Sequence, residues 1–329
     1  MNNLTSDEVT ELKGAKYPLQ SFQFVGLFGS PGSGKTYQLM KLSQEVVRWS
    51  KETTEYNLDK PELCNGPVTH NIYITPTAFT DNTLNKGSNN ITVLEFTDQT
   101  LTDLSDQIRD MSKTEAQVRD LQNFIRTFMR DTDFKDHREL LTHPFYSQLI
   151  QCIKAVEDMK TKYPELRVKE QNQKIINQLN KLYNFDGYFI RRPKIVLSID
   201  DAAGSKLFTQ GTNNSFYKLI CTRRHLSVFF IGLAFQTISD SFKRFKTQMN
   251  SMILFRGLPP EAVEDMFECV SSLASPIFDK KTFLQLYRQT IGYNEEEFNK
   301  KNNFRFNFLF IQSQPNVGLS IGYDQPITK

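Results

Sequence analysis

Phe22-Gln23-Phe24-Val25-Gly26-Leu27-Phe28-Gly29-Ser30-Pro31-Gly32-Ser33-Gly34-Lys35-Thr36 is the stretch on which the reading of this chain turns. Its first seven residues are apolar and β-prone and read as a short buried strand. The next eight spell G-x-x-x-x-G-K-T. From Tyr37 to Trp49, Leu39, Leu42, Val46 and Val47 recur at helical spacing. Strand, glycine-rich turn and helix start, in that order, make a polyphosphate cradle. Glycines let backbone amides curl around the phosphates, and the helix N-terminus faces their charge. Within this loop of Gly29, Ser30, Pro31, Gly32, Ser33, Gly34, Lys35 and Thr36, the Lys35 amine can reach the terminal phosphates. The Thr36 hydroxyl can ligate Mg2+. A nucleoside triphosphate is the expected ligand.

Composition sets the frame around that loop. A chain of 329 residues can bury a large core as one elaborated domain or two. The formal net charge is only +3, so any contact with nucleic acid has to come from local patches. Cys64, Cys152, Cys221 and Cys269 are scattered without a C-x-x-C pair, which argues against a structural zinc site and for free thiols. The N-terminus shows no basic-then-apolar pattern. The longest apolar run, Leu226 to Phe235, is about half of what a bilayer needs. The expectation is a soluble, intracellular protein with no membrane segment.

The pass along the chain predicts an α/β fold of the P-loop (ASCE, RecA-like) class. It has a mostly parallel central sheet, a helical insertion between core strands, and a C-terminal β-hairpin. Residues 1–16 read as a polar arm, 17–260 as the nucleotide-binding core, and 261–329 as a helical and hairpin extension. Strands are expected at 71–76, 91–96, 195–199, 226–236 and 251–255. Between about 98 and 186, Leu101, Leu104, Ile108 and Met111 begin a series of helix-spaced apolar positions, read as an insertion. Helices are expected at 215–224, 239–248, 260–272 and 279–290, and hairpin strands at 304–312 and 319–323, joined across 314–316.

A phosphate loop needs a carboxylate to steady Mg2+, usually at the end of a buried parallel strand beside the loop strand. Asp200, closing Ile195 to Ile199, fits. Asp201 follows, and adjacent strand side chains point opposite ways, so one acid can face the metal and the other an attacking water. Gln236 closes the next apolar run and is placed to hydrogen-bond both γ-phosphate and water. Asp201-Ala202-Ala203-Gly204 spells a GTPase-like D-x-x-G, but no Asn-Lys-x-Asp follows on a later strand. ATP hydrolysis is therefore the better reading.

Taken together, Gly29 to Thr36, the paired acids Asp200-Asp201, and Arg224-His225 leading into a strand that ends in Gln236 resemble the FtsK–HerA superfamily. Within it they resemble the genome-packaging ATPases of large eukaryotic double-stranded DNA viruses of the poxvirus type and of virophages. The ending, 304–312 followed by Gly322-Tyr323-Asp324, is also similar. That resemblance implies an ATP- and Mg2+-dependent motor, active in the host cytoplasm or a viral factory and carried into the virion. It implies a ring of five or six subunits threading double-stranded DNA, with capsid proteins as further partners. A neighbour's arginine would complete each site; Arg223, Arg224 and Arg244 are the candidates. DNA phosphates would meet basic side chains, for which Lys243, Arg244 and Lys246, or Arg119, Arg126 and Arg130, are candidates. The span from Lys35 to Asp200 is longer than a compact core requires, and the register before the last core strand leaves the trans arginine open. A phosphate-loop kinase, a GTPase-like switch and a non-catalytic ATP-dependent scaffold are the competing readings.

Overall fold

The apolar run before the loop forms β1 (Gln23–Phe28), and all six of its residues are buried. A strand with no exposed face needs cover on both sides, which is the pattern of a parallel sheet between helical layers. In this computed structural model, the described residues are 11–53, 68–78, 91–110, 194–201, 205–209, 214–237, 243–274, 279–291, 307–312, 318–323 and 325–327. Among them β1 is the middle strand of a single nine-stranded sheet. It pairs in parallel with β5 (Val228–Phe235) on one side and β6 (Ser251–Phe255) on the other. Beyond β5 come β4 (Lys194–Ile199), β2 (Val68–Thr75) and the edge strand β3 (Thr92–Glu95), all parallel. Beyond β6 the sheet turns antiparallel through β7 (Phe308–Gln312), β8 (Gly318–Ile321) and β9 (Gln325–Pro326). The mostly parallel α/β sheet and its C-terminal hairpin are as expected.

One expectation about the order of strands needs correction. β4 does not lie beside the loop strand; β5 stands between them. The glycine-rich loop therefore reaches the acid at the end of β4 only because the helix after it crosses the sheet. That helix, α1 (Lys35–Glu52), buries Leu39, Leu42 and Val46 in one core layer with Val25, Leu27, Val196 and Ala234. Gly232 in the middle of β5 makes the approach possible, because a Cβ there would overlap Leu39 Cδ1.

The opposite face of the sheet carries the other helices. α2, helical from 98 through 110, buries Leu101, Leu104 and Ile108 against it. The first helix of the stretch read as an insertion thus packs in the core. α3 (Lys206–Thr209) and α4 (Ser215–Thr222) add Phe208, Phe216, Leu219 and Ile220. Asn214 caps α4, its side chain accepting from the Tyr217 amide. α5 (Lys243–Lys246) ends two residues before the expected 248, with 239–242 outside the described residues, and it seats Phe245 edge-on to Phe24 and Phe208. α6 (Pro260–Ala274) and α7 (Lys280–Thr290) add Val263, Met266, Phe283 and Tyr287.

The chain divides into two units. One comprises Met1–Glu52, Val68–Ile108 and Lys194–Lys329; the other comprises Thr53–Pro67 and Arg109–Pro193. The second lies almost wholly outside the described residues, as do the helical periodicities read beyond residue 110, Arg119, Arg126 and Arg130, and the hairpin turn. Within the first, the described end of the N-terminal arm folds back. Leu12 is buried, its amide bonds the Leu19 carbonyl, and the Trp49 indole donates to the Lys13 carbonyl. No helix among the described residues is long and apolar enough to cross a membrane.

Arg223 is a structural residue, which corrects its candidacy as a trans-acting arginine. Its guanidinium is buried and donates to the Phe22 carbonyl at 2.8 Å, the Ile220 carbonyl at 2.9 Å and Asn250 Oδ1 at 3.0 Å. Asn250 Oδ1 also accepts the Phe24 amide, so one network ties the entry of β1 to the turn before β5 and the start of β6. Burial pulls the Arg223 pKa down to about 10, and the neighbouring Arg224 adds to the effect. Arg223→Ala should therefore cost about 3 kcal/mol by orphaning buried acceptors. Thermal melting should fall by about 5–10 °C, while nucleotide affinity of the folded fraction stays unchanged.

Candidate functional site

The loop leaves β1 at Gly29, whose amide bonds the Phe235 carbonyl at the end of β5, and Ser30 then bonds the Arg256 carbonyl just beyond β6. The loop is thus hung between the two strands that flank β1. Gly32 and Gly34 adopt φ of 70° and 101°, in the left-handed region that lets the backbone coil on itself. Gln38 N–H to the Gly34 carbonyl, 3.0 Å, is the first helical bond of α1, so the amides of Lys35, Thr36 and Tyr37 stand at its open end. The Ser33 hydroxyl is fully buried within the loop without a protein hydrogen-bond partner.

Lys35 curls back over this loop, its Nζ donating to the carbonyls of Gly29 at 2.7 Å and Ser30 at 2.9 Å. Burial pushes its pKa down, and the carboxylates of Asp200 and Asp201 oppose that shift. Thr36 Oγ1 donates to Asp200 Oδ2 at 2.7 Å, across the end of β5. The same oxygen accepts the Tyr73 hydroxyl of β2 at 3.1 Å, and Asp200 Oδ1 accepts the Asp201 amide at 3.0 Å. Burial raises the Asp200 pKa against these three donors.

Asp201 is set differently from the expected strand alternation. It lies past the end of β4 at φ 50°, a left-handed conformation that costs a non-glycine residue about 1 kcal/mol or more. The turn delivers its carboxylate to Gln236, whose Nε2 donates to Oδ1 at 2.7 Å. The structure thus brings together Lys35, Thr36, Asp200, Asp201 and Gln236 at the ends of β1, β4 and β5. A hydroxyl, two carboxylates and a lysine beside a coil of amides and an orphaned buried hydroxyl suit a magnesium–triphosphate. Thr36 and Asp200, already paired, are the residues that could hold such a metal.

Arg224, a candidate to complete a neighbour's site, is not brought to this cluster. It precedes β5, whose eight residues run roughly 25 Å from that entry to the loop end of the sheet. Arg244 belongs to α5, and its side chain lies outside the described set. Lys246, expected in a basic surface cluster, is buried at 7% exposure.

Two neighbours of the site escaped the sequence reading. Tyr73 could be recognised only once β2 was known to lie beside β4 in register Tyr73↔Ser198. Gln38 donates to the Tyr323 hydroxyl at 2.6 Å, and that ring packs against Tyr17, Phe308 and Phe310. The first turn of α1 is thereby tied to the C-terminal hairpin. Burial raises the Tyr323 pKa, keeping its phenol neutral.

The strand order β6-β1-β5-β4-β2, with the loop after β1, an acid after β4 and Gln236 after β5, decides the class. The chain has the P-loop ATPase fold. No family model matches it, and no curated protein matches it. Solved structures do. The genome packaging NTPase B204 of Sulfolobus turreted icosahedral virus 2, in complex with sulfate, is 13% identical, with 93% of this chain and 98% of that one covered and a TM-score of 0.42. The cytoplasmic domain of the Type VII secretion ATPase EccC of Thermomonospora curvata is 13% identical over 94% of this chain and 27% of its own, with a TM-score of 0.38. EssC (ATPases 2 and 3) of Geobacillus thermodenitrificans is 14% identical over 76% and 36%, with a TM-score of 0.29.

Because the folded state raises the Asp200 pKa, its contribution to stability is present in acid and lost as pH rises through the raised value. Asp200→Asn should therefore raise the melting temperature of the unliganded protein at pH near 7. The gain should shrink toward the ordinary carboxylate range, while magnesium-dependent nucleotide binding weakens. Melting curves across pH, with and without nucleotide, check both.

Proposed function

We propose that this protein is an ATP-hydrolysing motor of the FtsK–HerA type that translocates double-stranded DNA, packaging a viral genome into a capsid. The observation that carries the hydrolytic part is the pairing of Thr36 with Asp200 and of Gln236 with Asp201 at one end of the sheet. The DNA-translocating part is supported by the likeness of the Arg224-to-Gln236 segment to that family.

The chemistry follows from the positions. Loop amides and Lys35 hold the β- and γ-phosphates, with Lys35 leaving the Gly29 and Ser30 carbonyls to do so. Mg2+, held by Thr36 and Asp200, would supply charge neutralisation on the phosphate oxygens. Asp201 accepts a proton from the water that attacks the γ-phosphorus, while Gln236 keeps that water and the carboxylate aligned. The bond from γ-phosphorus to the β–γ bridging oxygen breaks, and ADP leaves with that electron pair. The strained backbone of Asp201 fits a group held where chemistry, rather than local propensity, requires it.

Arg224 stands at the far end of the sheet from its own subunit's site. It and Arg244 are proposed to serve a neighbouring subunit in a ring of five or six, where such an arginine stabilises charge in the transition state. DNA would thread the ring by contacts to phosphate, independent of sequence.

Long duplex DNA should stimulate ATP hydrolysis, with the effect fading as salt rises. Hydrolysis indifferent to every nucleic acid, or transfer of labelled γ-phosphate to a nucleoside, would overturn the motor. Lys35→Ala and Asp201→Asn should each lower turnover at least about 100-fold. Asp201→Asn should retain binding of a fluorescent ATP analogue, and Lys35→Ala should lose it.

A further inference from the structure

Large apolar and aromatic side chains are almost all covered among the described residues, and the two exposed ones are Tyr37 and Val93. Tyr37 is the more exposed, at 61%, and it follows directly on the loop lysine and threonine. An aromatic ring left in water beside a ligand-binding turn is the kind of residue recognition uses, because it offers a rigid surface at little conformational cost.

The geometry of α1 says which end of a nucleotide this ring would meet. The amides of Lys35, Thr36 and Tyr37 stand together at the helix mouth, so a phosphate chain bound there passes all three. Thr36 is turned toward Asp200, and Asp201 and Gln236 lie on that side, which fixes the hydrolysed end. Tyr37 is one residue further round, about 100° on a helix, and it emerges into solvent. The nucleoside end has to leave the loop away from the packed acids, toward this open side. Lys41, one turn later, sets its Nζ 4.4 Å from the centre of the Tyr37 ring, a cation–π contact that holds the ring from one side.

We infer that Tyr37 is the stacking platform for the base of the bound nucleotide, with Lys41 bracing one face of the ring and the base covering the other. This rests on the phosphate-loop reading and adds to it the recognition of the base. Stacking on a π-face uses no hydrogen-bond code, so purine triphosphates bind well whichever purine they carry, and bare triphosphate binds less tightly.

Full-length protein, titrated calorimetrically with magnesium ATP and with magnesium tripolyphosphate, tests this. Tyr37→Ala should weaken ATP about tenfold and leave tripolyphosphate within about twofold, since every substitution keeps the position 37 amide. Tyr37→Phe should bind ATP like the parent. Tyr37→Ala with unchanged ATP affinity, or with ATP and tripolyphosphate weakened alike, would overturn the stacking role while leaving the phosphate loop standing. A parent protein that binds neither ligand would overturn the loop reading and this inference together.

Discussion

The hydrogen bond between Thr36 and Asp200 spans a strand that belongs to neither. Thr36 sits at the start of α1, after β1, and Asp200 ends β4, while β5 runs between those two strands. The contact therefore exists only if α1 lies close on β5, and Gly232 supplies that closeness by leaving room for Leu39. It also needs the loop to be fixed at both sides, which the Phe235 and Arg256 carbonyls do by accepting Gly29 and Ser30. The sheet order, the glycine in β5 and the helix packing all converge on this one hydroxyl–carboxylate distance.

Around it the buried charges are balanced without being quenched. Lys35 spends its amine on two loop carbonyls, and its desolvation outweighs the pull of the two acids. Asp200 receives three donors and is still disfavoured as an anion by burial. Both groups gain if a magnesium–triphosphate replaces these internal contacts, because its phosphates offer the lysine a stronger acceptor and its metal offers the carboxylate a cation.

Much of this was legible in the chain. The apolar run at 23–28, the glycine spacing and the helix start fixed the phosphate cradle locally, and consecutive buried runs ending in Asp200 and Gln236 pointed to the same end of a parallel sheet. What the residues could not convey was long-range order. The interposition of β5 between β1 and β4, the hydroxyl of Tyr73 on Asp200 and the bond from Gln38 to Tyr323 depend on which strands become neighbours, and no local pattern states that. Asp201 illustrates a second limit. Simple alternation places it opposite Asp200, whereas a left-handed backbone past the strand end is what turns it to Gln236. Arg223 shows a third: in sequence it looks like Arg224, and only the fold distinguishes a fully buried backbone clamp from its half-buried neighbour.

The most direct measurement is a crystal structure of the protein with magnesium and a non-hydrolysable ATP analogue. The account predicts the triphosphate wrapped by the amides of 29–36, with Lys35 moved from the Gly29 and Ser30 carbonyls onto phosphate oxygens. The metal should sit between the Thr36 hydroxyl and the Asp200 carboxylate, with the base over Tyr37. Nucleotide bound elsewhere, or a loop still closed on Lys35 at saturating analogue, would contradict it.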